Sequence, residues 1–152
     1  MGCECCGNVS NSQSPVTFTG TSTETSTGNL IGAGEVVILN LSVSPIGIRQ
    51  VKLDSMSEVL LLTDDESVYS YDIRYRLRRS DLPATPLAEL QIINGAGGNP
   101  GVTSISQVPN LSWNDTLSSP IIYTITVEVV TSINITSIIA GTRSLHATVF
   151  NF

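Results

Sequence analysis

Beyond its sixth residue this chain has no cysteine. All three, Cys3, Cys5 and Cys6, precede the rest of the 152 residues. The body therefore cannot be stapled internally, and the sulfur chemistry points outward, to another chain, a metal or a lipid. Other scarce residues exclude more. There is one histidine, His146, so a Ser–His–acid triad would have to use it, and no G-x-S-x-G elbow accompanies it. Lysine and arginine total 7 against 13 acids, for a net charge of -6. Such a chain is a poor general binder of nucleic acid or anionic membrane. No apolar run approaches the roughly 18–20 residues of a membrane helix. The first thirty residues lack the basic start and apolar stretch of a secretory signal, which predicts synthesis without Sec export.

What is present is β-forming. An apolar fraction of 41% with 13% charged residues suits one folded domain with a real core. Residues 1–14 are small, polar and aperiodic, and read as a flexible connector; residues 15–152 read as the folded domain. From Val16 onward Thr, Ser, Val and Ile dominate, with Gly, Pro and Asn at short intervals. Expected strands are Val16–Thr19, Val36–Val43, Ile46–Leu53, Glu58–Thr63, Val68–Arg78, Ala88–Asn94, Ile121–Val130, Ile133–Ile139 and Arg143–Phe150, with a short one near Val102–Gln107. The clearest places Tyr69, Tyr71, Ile73, Tyr75 and Leu77 on one face and Ser70, Asp72, Arg74, Arg76 and Arg78 on the other. In the last strand Leu145, Ala147 and Val149 point inward and His146 and Thr148 outward. Thr63–Glu66 reads as a tight acidic hairpin, Gly95–Gly101 as a loop, and Thr19–Gly34 as a surface excursion. Pro83 and Pro86 break the best helical stretch. The expected fold is all-β, an antiparallel β-sandwich of jelly-roll type with about 8–10 strands.

Each chemically suggestive feature has a plainer reading beside it. Neighbouring cysteines bond each other only with strain, so intermolecular disulfides lead for Cys3, Cys5 and Cys6. A soft-metal site is the rival, but a closed zinc site needs four ligands. Acylation at Met1-Gly2-Cys3 comes third, because Cys6 stands where the myristoylation pattern has Ser or Thr. Tail thiols without a role remain the plain alternative. His146, mid-strand on a polar face, reads as a surface or subunit-contact residue. Arg74, Arg76, Arg78 and Arg79 make a positive stripe, either an anion site or, preferred, a set of ion pairs with acids such as Asp72, Glu89 or Glu128. Asp64, Asp65 and Glu66 read as a solvated turn rather than a calcium loop. Five N-glycosylation patterns arise by chance in so Asn/Ser/Thr-rich a chain. Lys52 permits a Lys–Asn cross-link, without local support. No cofactor and no metal is expected.

Three stretches together resemble a known group. The tail with Cys-x-Cys-Cys, the segment Ser112–Tyr123 (SWNDTLSSPIIY) and the ending Arg143–Phe150 (RSLHATVF) are similar to small β-proteins on the endospores of Gram-positive bacteria. These include endospore appendage subunits and the jelly-roll heads of exosporium fibres. The resemblance implies a self-assembling subunit whose connector reaches a neighbour and is locked there by disulfides, Cys3, Cys5 and Cys6 matching the connector cysteines. It also implies synthesis in the mother-cell cytoplasm and a place on the spore surface. One departure stands out: appendage connectors pair with cysteines of the neighbouring β-domain, and this body has none.

The expected function is a structural, non-enzymatic subunit of a fibre or appendage on the spore surface. Its partners are copies of itself, in a helical fibre or a trimeric unit, and other spore-coat or exosporium proteins, with no nucleic acid and no membrane. Val16, Thr17, Phe18 and Thr19 are the candidate strand to be donated or accepted. Arg74, Arg76, Arg78 and His146 are candidate subunit contacts. The alternative is a trimeric head related to C1q and tumour necrosis factor that binds glycans or proteins through its loops.

Overall fold

The computed structural model of the chain describes residues 15–65, 68–97 and 101–151. The expected connector, with Cys3, Cys5 and Cys6, lies outside the described residues. Nine strands follow in order: β1 (Val16–Thr23), β2 (Glu35–Val43), β3 (Arg49–Thr63), β4 (Val68–Arg79), β5 (Ala88–Gly97), β6 (Ser104–Gln107), β7 (Asn110–Leu117), β8 (Ile121–Ile133) and β9 (Ile135–Phe150). All pairings are antiparallel. One sheet runs β1-β9-β3, with β6 and β7 end to end along the far side of β3; the other runs β2-β8-β4-β5. With β6 and β7 counted as one interrupted strand, this is the eight-strand order of a jelly roll, as the sequence predicts.

Alternation builds the sandwich. On β4, Tyr71, Ile73, Tyr75 and Leu77 point inward and are at most 1% exposed. On β9, Leu145, Ala147 and Val149 face them from the other sheet, with His146 and Thr148 outside. Leu53, Leu61, Tyr123, Ile125 and Ile138 complete the centre of the core.

Three boundaries differ from the sequence-based expectation, for one reason. Arg49–Leu53 of the expected Ile46–Leu53 strand and Glu58–Thr63 belong to the single strand β3, because its middle turns Ser55 and Ser57 inward, both buried, while residues 46–48 lie in the loop before it. Ile135–Ile139 of the expected Ile133–Ile139 strand and Arg143–Phe150 likewise meet in β9, through Gly141 and the buried Arg143, while Ile133 ends β8. β7 was not expected at all. Its inward position Asp115 is acidic and hides the apolar alternation of Leu111 and Leu117. In each case a polar side chain occupies a core position. Two turns also differ. Thr63–Glu66 is no hairpin, since β3 and β4 lie in different sheets. The segment expected as a glycine loop is strand through Gly97, paired with Val68.

Arg143 explains how a cation fits inside. At Ser57–Val59 of β3, β9 carries an extra residue, a β-bulge. There Arg143 donates to four carbonyl oxygens: Ile38 at 2.8 Å, Thr25 at 2.7 Å, Gly141 at 2.7 Å and Ala140 at 3.2 Å. Burial lowers its pKa, and no carboxylate opposes that shift. Beyond the bulge β1 no longer covers β9, and the excursion after β1 takes over. Thr27 and Leu30 pair with Ala140 and Ile138 through their backbones, and the Asn29 side chain bridges Ile138 and Thr136.

Two inter-sheet bonds add to this. Gln107 donates to the Tyr71 hydroxyl at 2.9 Å, and Tyr123 donates to Asp115 at 2.7 Å. Arg79 holds that same carboxylate with two bonds of 2.9 Å and clasps Asp81 with its other nitrogens. Burial and the neighbouring Asp115 both push the Tyr123 phenol upward, so it stays a donor.

Replacing Arg143 by alanine removes its bonds to the Ile38, Thr25 and Gly141 carbonyls, while Ala140 keeps its bond from Thr27, and should cost roughly 3 kcal/mol of stability. Urea unfolding of Arg143→Ala beside the wild type measures this. Arg143→Lys should lose less, because one ammonium still serves some of the same acceptors.

Candidate functional site: a neutralised arginine face and two polar-opposite ends

The outer face of the β2-β8-β4-β5 sheet carries the arginine stripe. Arg76 is 6% exposed and sits under three carboxylates: Glu128 at 2.7 Å, Glu35 at 3.0 Å and Glu89 at 2.5 Å. Arg78 takes both oxygens of Glu35 and the carbonyl of Pro83. Arg74 lies in register with Glu128 and Gln91, and its buried Nε makes no hydrogen bond among the described residues. The expected ion pairing with Glu89 and Glu128 is present. Asp72 instead accepts from Gln91. Glu35, at the start of β2, is the acid that sequence reasoning missed, because only the β2-β8 register brings it beside β4.

The guanidinium groups of Arg76 and Arg78 are thus consumed within the chain, and the anion-site reading of the stripe falls with them. As candidate subunit contacts the residues differ. Arg76 has no face left for a partner, whereas Arg74 and Arg78 are half-buried at the surface. Hydrogen bonding from Arg78 holds Glu35 at about 2, with Thr126 and the charge of Arg76 in support and burial opposing. Burial alone would lower the Arg76 pKa; Glu89 and Glu128 outweigh it and the net shift is upward.

The other outer face, on β1-β9-β3-β7, carries few charges. His146 lies exposed across Gly20, whose missing side chain makes the room: a Cβ there would overlap the imidazole. Asp54 is in register with His146 and accepts from Ser112 at 2.7 Å. It also pairs with Lys52 at 3.1 Å. Burial pushes the Asp54 carboxyl up, but Ser112 and Lys52 outweigh it and hold it below its ordinary range. Lys52 is half-exposed beside this carboxylate. Asn114 stands directly opposite Lys52 on β7. A shallow hollow of about 350 Å³ runs along Phe18, Gly20, Ser22 and His146, and a second of about 230 Å³ lies among Leu60, Leu62 and Ile139.

Val16, Thr17, Phe18 and Thr19 are paired in register with Phe150, Val149, Thr148 and Ala147 of their own chain. The segment expected to be exchanged between copies is therefore used at home, and Phe18 stands 77% exposed on its outer side. Asp64 and Asp65 sit in the β3–β4 connection. No group of three His, Cys, Asp or Glu side chains able to hold a metal occurs among the described residues.

The two ends of the sandwich differ. One is built by residues 31–34, 64–65, 101–103 and 134, with Asp64 and Asp65 and no lysine or arginine. The opposite end is built by loops 44–48, 80–87 and 118–120, and the chain enters and leaves there, Asn151 bonding Pro15. Its charges balance, Arg49 and Arg79 against Asp81 and Asp115.

No protein-family model matches the chain, and no curated protein matches it. Among solved structures it is similar to the VP2 subviral particle of infectious bursal disease virus, at 11% identity and a TM-score of 0.41, covering 90% of this chain and 33% of that one. The structure of the Gx strain of the same virus is matched at 10% identity and a TM-score of 0.37, with the same coverage. The chain spans about a third of the solved chains it matches. Likeness of this degree adds nothing to the jelly-roll strand order described above.

The Glu35 cluster sets an acid limit. Its folded pKa lies below the unfolded value near 4.5, so its contribution is complete above about pH 4.5 and lost as pH falls toward 2. After solvent screening this amounts to roughly 1–2 kcal/mol. Chemical denaturation at pH 6 and pH 3 should show a smaller loss for Glu35→Gln than for the wild type.

Proposed function

We propose that this chain is a structural subunit that assembles with copies of itself into a fibre or appendage on the spore surface, with its joints locked by disulfides through Cys3, Cys5 and Cys6. One observation carries the reading: a cysteine-free jelly roll follows a cluster of three cysteines, so each disulfide must join that cluster to another molecule or close within the cluster itself. Closure within the cluster is disfavoured by geometry. In a homomeric assembly the joint is cluster to cluster. Each bond forms when two thiols on two chains give up two protons and two electrons to an oxidant such as glutathione disulfide, which leaves as two thiols.

The side-chain chemistry agrees with a structural role. Arg76 and Arg78 of the stripe are tied into carboxylates, and the one histidine lies across a glycine on an open face. The spore surface enters through the resemblance of the tail, Ser112–Tyr123 and Arg143–Phe150. Disulfides set after mother-cell lysis suit that setting.

Negative-stain microscopy and non-reducing gels test the proposal. Fibres, and covalent dimers or larger species that reductant collapses to monomer, are expected. Discrete trimers would favour the ligand-binding head. A chain that runs as monomer without reductant, with Cys3→Ser, Cys5→Ser and Cys6→Ser leaving assembly unchanged, would sink the disulfide joint.

A further inference from the structure

We infer that two copies of this chain meet end to end, through the charge-balanced end formed by loops 44–48 and 80–87, with their acidic ends pointing apart. The inference rests on the self-assembly reading above and names its contact surface.

Three observations carry it. The first is exposure. Ile46 is 74% exposed, Ile48 72% and Leu82 47%, all in the loops of this one end. The backbone fixes how the isoleucines are shown. Pro45 fixes its own φ immediately before Ile46, and Gly47 adopts φ 75 between Ile46 and Ile48, a conformation that L side chains rarely take. Arg49 braces the loop from behind, donating to the Ile48 carbonyl at 2.9 Å and to Asn151 at 3.2 Å. Apolar side chains held outward by turn chemistry differ from side chains merely left uncovered.

The second is charge. Copies of a chain with net charge -6 repel unless they approach through a surface where charge cancels. Arg79 is fully engaged by Asp81 and Asp115 at this end, so little charge must be desolvated there. The opposite end carries Asp64 and Asp65, so joining two such ends would bring four carboxylates together.

The third is where the chain leads. Val16 begins β1 at this same end, and Cys6 precedes it by ten residues. Ten residues span at most roughly 35 Å. Contact through this end therefore places the cysteine clusters of two copies within each other's reach. Contact through the acidic ends would set them a full sandwich length further apart on each side. End-to-end docking raises the effective concentration of thiols before any bond is made.

Sedimentation of the full chain in reductant, followed by oxidation with glutathione disulfide, tests this. Ile46→Asp/Ile48→Asp should weaken association at least about 100-fold and slow cross-linking in parallel. Ile46→Ser/Ile48→Ser should give a milder loss. Both should keep the wild-type circular dichroism, since the sites are exposed. Phe18→Asp, on the open sheet face, should change neither readout. If the isoleucine variants associate like the wild type, or if Phe18→Asp alone abolishes association, the end-to-end contact is wrong while self-assembly stands. A wild type that is monomeric with and without reductant overturns both.

Discussion

The Arg143 guanidinium is the hinge of this architecture. It is a buried cation with no carboxylate beside it, held by four carbonyl oxygens from three parts of the chain. It sits where β9 bulges, where β1 stops covering β9, and where the excursion after β1 crosses toward β2. Removing it would leave acceptors unpaired in both sheets at once. The cost of burying the charge is offset only because every donor direction used meets an acceptor, which fixes the position of one sheet against the other. The Tyr123–Asp115–Arg79 clasp and the Gln107–Tyr71 bond then fix the two ends of the sandwich.

Polar groups are divided by position. Those inside join the sheets. Those on the β4 face neutralise one another at Arg76 and Arg78, through Glu35, Glu89 and Glu128. The β1-β9-β3-β7 face and the end bearing Ile46 and Ile48 are left with few or balanced charges. The chain keeps β1 paired with its own β9 and carries its apolar, charge-poor areas apart from the end bearing Asp64 and Asp65.

The positions that escaped sequence reasoning share a cause. Ser55, Ser57, Asp115 and Arg143 all occupy inward positions in strands. A pattern search for apolar alternation stops at such residues and cuts one strand into two, or misses it. Three are satisfied by partners distant in sequence, Ser55 by Leu111, Asp115 by Arg79 and Arg143 by Ile38, so no local signal announces them. Glu35 escaped for the same reason, since its arginines lie two strands away in its own sheet.

The amino-acid sequence alone determined the all-β class, the jelly-roll type, the inward faces of β4 and β9, and the confinement of thiol chemistry to the first six residues. Those properties follow from alternation, turn residues and composition, which are local or additive. Tertiary structure alone decided that Arg76 and Arg78 of the arginine stripe are neutralised, that Val16–Thr19 pairs within its own chain, and that one end is acidic while the other is balanced and apolar. Those properties depend on which strands become neighbours. That is set by the joint packing of two sheets and by a few buried polar bonds between residues far apart in the chain.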